Sequence, residues 1–243
     1  MPQTKPIFAA FNQGAVPQIA CVNKATVNLG VAFDELVPAL QKFMDECFVP
    51  VWGAPAKLVA ANSVPADAWA IVFLDNADEA NALGYHDLTK HGLPLSKVFV
   101  KTTLADRQKV SVTACHELAE MMIDPAINLW AEAPNGAFYA YEMSDAVEEE
   151  EFLVDGIAMS DFVYPAYFEG FRAPNSAQFD YLKKVKRPFQ ILKGGYSIVS
   201  KRGKITQIYG SAAKRKRFAK EDRRQHRSQF RRKGKLLKLR SRA

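Results

Sequence analysis

Cys115-His116-Glu117-Leu118-Ala119-Glu120-Met121-Met122-Ile123-Asp124, followed by Pro125, is the stretch from which the rest of the chain can be placed. Val110, Val112, Leu118, Met121 and Met122 give residues 107–123 the pattern of a helix. Asp124-Pro125 stops it, because proline lacks an N–H and disfavours helical backbone in the residue before it. His116 and Glu120 are four residues apart, so a helix puts both on one face within reach of a common ion. Glu117 is offset by about 100° and can touch a water beside that ion. The pattern is that of the HExxH zinc helix with glutamate in place of the second histidine. Zinc takes imidazole nitrogen and carboxylate oxygen at nearly equal distances, so the exchange leaves a usable ligand in a harder, more anionic site. The competing reading is a solvated acidic helix face with a hydrogen-bonded histidine.

Upstream, residues 19–22 read as a strand, and residues 33–48 as a helix with Asp34 and Glu35 at its start and Pro38 near its first turn. After a turn over residues 50–55, Lys57–Ala61 and Trp69–Leu74 have strand length and turn residues at their ends. Gly84-Tyr85-His86-Asp87 reads as the start of a polar loop, with His86 a further candidate for a ligand or substrate contact. Residues 95–102 read as a half-exposed strand at a sheet edge, where an extended substrate can pair above a metal. Downstream, residues 138–168 favour strands and turns, and residues 196–209 form a hairpin with Gly203 in its turn. The chain is therefore expected to be α+β, with a small mixed sheet, an active-site helix and a body that ends near Gly210.

Glu142 and Asp145 offer a third ligand and an acceptor for the other N–H of His116. Glu142 is the preferred ligand because its side chain is longer, which leaves Asp145 to orient the imidazole. Asp124 reads as a turn carboxylate. Met159 reads as core packing. Tyr164 and Tyr167 are packing residues or donors to a developing oxyanion.

Three segments stand together between residues 84 and 195: His116-Glu117-x-x-Glu120-Met121-x-x-Asp124-Pro125, Glu142-x-x-Asp145, and Ser160-Asp161-Phe162-x-x-Pro165-x-Tyr167-Phe168. In this combination the chain resembles a zincin-like HExxE metallopeptidase family of phage and bacterial proteins. The resemblance implies a zincin-like domain over residues 1–210 and peptidase chemistry on a peptide or protein substrate. Zinc or another divalent ion would be held by His116, Glu120 and Glu142 or Asp145, with Glu117 as general base. The alternative is a non-catalytic phage structural or packaging protein that uses the zincin-like body as a scaffold.

Charge divides the chain. Residues 1–182 hold 10 basic and 24 acidic side chains, a net of −14, whereas residues 183–243 hold 23 basic and 2 acidic ones, a net of +21. Residues 211–243 have little to bury and read as a disordered or conditionally helical tail. Its Lys214, Arg215, Lys216, Arg217, Arg223, Arg224, Arg227, Arg231, Arg232 and Lys233 suit nucleic-acid phosphates, bound with little sequence preference. Competing readings are a nuclear import signal at residues 214–217 and a tail folded back on the acidic run Glu148-Glu149-Glu150-Glu151. Three cysteines without a CxxC spacing argue against a disulfide framework and for a reducing compartment. The first residues lack the basic and apolar segments of a signal peptide, and no apolar run is long enough to span a bilayer. The expected location is the cytoplasm of a bacterial host or the interior of a virion.

Overall fold

In the computed structural model, which describes residues 16–78, 82–89 and 92–217, a mixed sheet carries the N-terminal half. Its strands are β1 (Gln18–Asn23), β2 (Lys57–Ala61), β3 (Trp69–Leu74), β4 (Gly84–Leu88) and β5 (Pro94–Phe99), in spatial order β2-β1-β3-β5-β4. The first four in that order run parallel, and β4 lies antiparallel at the edge. Alternation along the strands separates the two faces. Ile19, Cys21, Leu58, Trp69, Ile71, Phe73 and Val98 enter the main core, whereas Ala20 and Val22 turn to the other face and meet Ala68 and Val72.

Helix α1 (Phe33–Lys42) buries Leu36, Val37, Ala39 and Leu40, and leaves Asp34 and Pro38 exposed. The hydrogen bond that Pro38 cannot make is thus missing on the side where water can reach the Asp34 carbonyl. The helix does not end at Phe48 as its sequence pattern suggests. It widens into a π-helical segment, Phe43–Phe48, and continues as α2 (Val49–Trp52) until Gly53 takes the left-handed conformation at φ 65°. Pro50 therefore lies inside the helical run. Phe43, Phe48 and Phe162 form an aromatic cluster beneath the sheet, with Phe43 edge-on to Phe162 at 5.6 Å.

Two sequence-based expectations change at the sheet edge. The strand expected over residues 95–102 is β5, an inner strand, and residues from Val100 form a short helix, α3 (Val100–Ala105). The edge belongs to β4, built from residues read as a loop. The polar character of Gly84-Tyr85-His86-Asp87 hid a strand because one of its polar side chains, His86, points into the molecule at 1% exposure. The helix expected over residues 107–123 is α4 (Val110–Ile123). Arg107, at φ 60°, breaks the chain between α3 and α4.

The C-terminal half adds β6 (Trp130–Glu132), β7 (Phe138–Ala140), β10 (Tyr196–Lys201) and β11 (Lys204–Tyr209) in an antiparallel sheet of order β11-β10-β7-β6. A hairpin of β8 (Glu151–Val154) and β9 (Ile157–Ser160) packs against α4, with Met159 fully buried in the core. The β10–β11 turn is Arg202-Gly203, with φ of 51° and 79°, the paired positive values that a two-residue hairpin needs. Beyond it, α5 (Ala212–Arg217) returns to the body, where the Lys214 ammonium lies 2.9 Å from both Glu148 Oε2 and Glu149 Oε1.

Asp161, in the Ser160-Asp161-Phe162 segment, is a structural residue. Its Oδ1 accepts the N–H groups of Phe162 and Leu182, and Asp180 accepts those of Lys184 and Val185. The two buried carboxyl groups face each other. Burial, together with the charge and hydrogen bond of Asp180, pushes the Asp161 carboxyl up to about 8, so at neutral pH it holds a proton.

Candidate metal centre

Helix α4 is apolar almost all round, and it is buried on every side from Val110 to Met122. That burial includes Glu117 at 4% and Glu120 at 0% exposure, which removes the reading of a solvated acidic face. The helix lies under β4 and β5, where Ser96 Oγ donates to the Glu117 carbonyl at 3.1 Å and anchors β5 to this turn of the helix. Gly84 lets β4 come close. A Cβ there would stand 2.9 Å from the Lys97 carbonyl oxygen, 2.9 Å from Thr113 Cγ2 and 3.0 Å from Glu117 Cγ.

From the other side, the turn after β7 brings in Glu142, and a 3₁₀ turn, Asp145–Val147, brings in Asp145. Glu142 and Asp145 are 3% and 2% exposed. His116 Nε2 lies 3.3 Å from Glu120 Oε1 and 3.4 Å from Asp145 Oδ1. The Ser144 N–H points at Glu120 Oε1 from 3.4 Å. His86 lies between the helix and the Glu142 turn. Its Nδ1 is 3.6 Å from Glu117 Oε2 and 3.8 Å from Glu120 Oε2, and its Nε2 is 3.8 Å from Glu142 Oε2.

The five residues selected from sequence for the site, His116, Glu117, Glu120, Glu142 and Asp145, all converge, and the ligand candidates among them fall in two groups that share Glu120. Asp145, rather than Glu142, completes the group around His116, whereas Glu142 stands with His86. Glu142 sits in a turn and not on a strand facing the helix, and the 3₁₀ turn carries Asp145 to the imidazole. His86 was visible as a residue but not as part of a buried strand. Its signal lay in Gly84 two residues earlier, the glycine that lets β4 press onto α4.

Burial alone would push the His116 imidazole down. The negative charge of Glu120, with the carboxylates of Asp145 and Glu117 close by, outweighs it and holds the group well above the ordinary histidine range. The same field attracts any other cation. Tyr167 is 2% exposed, and its hydroxyl has no hydrogen-bond partner among the described residues. Burial first, then the charges of Tyr139 and Asp145, push its pKa far up, so it remains a neutral O–H near the cluster. Tyr164 stacks on Phe162 at 5.9 Å and is a packing residue. Asp124 accepts the N–H groups of Asn128 and Leu129 and fixes the turn after the helix.

The basic residues are divided by position. Lys214 is 6% exposed and engaged by Glu148 and Glu149, so its expected role as a phosphate contact is corrected to a tie between α5 and the body. Glu150 and Glu151 pair with Lys184 and Lys109. Arg215 and Lys216 are exposed on α5, and Arg217 ends that helix. Arg223, Arg224, Arg227, Arg231, Arg232 and Lys233 lie outside the described residues. No helix among the described residues is long and apolar enough to cross a membrane.

Comparison with protein-family models, curated proteins and solved structures finds no match. The geometry and chemistry of the cluster therefore carry the functional reading.

Proposed function

We propose that the chain is a divalent-metal peptidase of zincin-like architecture, with His116, Glu120 and Asp145 as protein ligands and a basic C-terminal segment that binds nucleic acid. The observation that carries the reading is the spacing of the ligand atoms. A charge-assisted hydrogen bond between imidazolium and carboxylate closes to about 2.7–2.9 Å. Ligand atoms each about 2.1 Å from one tetrahedral ion stand roughly 3.4 Å apart. The separations of 3.3 and 3.4 Å around His116 Nε2 fit the second case.

A divalent ion in this group would supply Lewis acidity, which polarises a carbonyl and makes water easier to deprotonate. Glu117 supports the rest of the reaction. Its Oε2 is buried, has no hydrogen-bond donor among the described residues, and belongs to the residue next to a ligand on the same helix turn, which suits a proton acceptor. The neutral Tyr167 hydroxyl suits donation to an oxyanion. The antiparallel edge strand β4, lying across the helix, suits an extended peptide.

The purified full chain should carry at least one equivalent of zinc or another divalent ion. His116→Ala and Glu120→Ala should each lose it. Glu117→Gln keeps the shape without the base, so it should retain the metal while peptide hydrolysis falls by about 10²–10⁴. Equal metal content in wild type and the His116 and Glu120 variants rejects the ligand assignment. Undiminished hydrolysis in the Glu117 variant rejects the general base.

A further inference from the structure

The carboxylate of Glu120 faces two ways. Oε1 lies 3.3 Å from His116 Nε2, in the group completed by Asp145, and Oε2 lies 3.8 Å from His86 Nδ1, in a second group completed by Glu142. In each group one ligand atom per residue can be chosen so that all lie within 4.8 Å of one another. We propose that the centre holds two divalent ions bridged by Glu120, one on His116, Glu120 and Asp145, the other on His86, Glu120 and Glu142. The inference rests on the metal-site reading given above for the first ion and adds the second.

Three features support the second ion. The first is charge. Glu117, Glu120, Glu142 and Asp145 bring four carboxylates into a space where none is more than 4% exposed, together with two imidazoles. Buried carboxylates are costly unless matched by positive charge. Each dication offsets two negative charges, so a second ion adds to what the first can match. The second is placement. His86 sits between the carboxylates, with Nδ1 3.8 Å from Glu120 Oε2 and Nε2 3.8 Å from Glu142 Oε2, so whichever ring nitrogen serves as ligand, an acidic side chain of the same group stands beside the ring. The third is the buried Glu117 Oε2, which lacks a hydrogen-bond donor among the described residues and is aimed at this space.

The backbone supports the same arrangement. Gly84 permits the close approach that holds β4, and with it His86, over Glu117 and Glu120. A donor set of carboxylate oxygens with one imidazole per ion is hard to borderline, which suits zinc or manganese and disfavours thiophilic metals. Carboxylate-bridged pairs of this kind hold their ions about 3.5–4 Å apart.

The test uses the full chain, stripped with a chelator, reloaded with Mn²⁺ or Zn²⁺ and freed of excess metal. Elemental analysis should give two ions per chain in the wild type and one in His86→Ala. Electron paramagnetic resonance of the Mn²⁺ form should show an exchange-coupled pair in the wild type and a single-ion spectrum in the variant. One ion per chain in both proteins overturns the second site and leaves the first intact. One ion in the wild type and none in His86→Ala also overturns it, because His86 then serves a single centre. No ion in the wild type removes both this inference and the reading beneath it. Circular dichroism establishes whether His86→Ala is folded; if it is not, the coupled or uncoupled spectrum of the wild type decides.

Discussion

Gly84 shows how much one missing methyl group can decide. The nearest atoms around its hypothetical Cβ include the Lys97 backbone oxygen at 2.9 Å, which cannot move without shifting β5. Gly84→Ala should therefore destabilise the fold by about 1–3 kcal/mol, the usual cost of overpacking. It should also weaken metal binding, because the relief available to the chain is to lift β4, and His86 with it, from α4. Denaturant unfolding of the stripped protein and metal titration of the folded protein separate the two effects. The Asp161 carboxyl is raised from 3.8 to about 8, so the folded chain holds a proton that the unfolded chain has given up. Stability from this group is complete below about pH 4 and is lost as pH rises through about 8. Asp161→Asn can donate permanently to Asp180, so the urea midpoint of that variant should fall less than that of the wild type between about pH 5 and about pH 9.

Among the elements, α4 was legible from sequence and β4 was not. The histidine and glutamates of α4 announced a common face through their spacing, and Asp124-Pro125 marked the end of the helix. Its beginning was misplaced by three residues because the break is a backbone event at Arg107, a residue type with no preference for positive φ. The strand β4 lacks the β-branched alternation by which strands are recognised, and its one deeply buried polar residue makes sense only against the carboxylates of two other segments. Long-range pairing of this kind leaves no local trace, which is also why Asp145 and Glu142 could be selected but not assigned. The burial of α4 and β1 has a direct readout. Cys115 and Cys21 are fully buried free thiols, and burial pushes Cys115 well above the ordinary thiol range and Cys21 up to about 12. Native protein should therefore resist alkylation at both, with reaction appearing only as denaturant opens the core, as mass spectrometry of labelled peptides would report.

For the molecule as a whole, the first residues of the basic tail, beyond Gly210, form α5 and meet the acidic body. Lys214 closes α5 onto Glu148 and Glu149, with 5% of its side chain exposed. Truncation after Gly210 should cost about 1–3 kcal/mol through the loss of these charged hydrogen bonds, whereas truncation after Arg217 should leave the thermal midpoint near that of the full chain. Nucleic-acid binding should follow the opposite division and depend on the residues beyond 217. If six to ten phosphates are contacted, affinity should drop by roughly 10³–10⁵ between 50 and 200 mM salt. A chain ending at Arg217 that binds DNA as tightly as the full protein would move the interface onto the body. The carboxyl pair of Asp161 and Asp180 also gives folding a proton inventory. Near neutral pH, unfolding expels the proton that Asp161 carries, and the buffer must take it up. The heat of unfolding measured by calorimetry then includes the buffer's own heat of protonation, and should come out smaller in an amine buffer than in phosphate. In Asp161→Asn this part of the difference between buffers disappears, so the proton can be counted as heat.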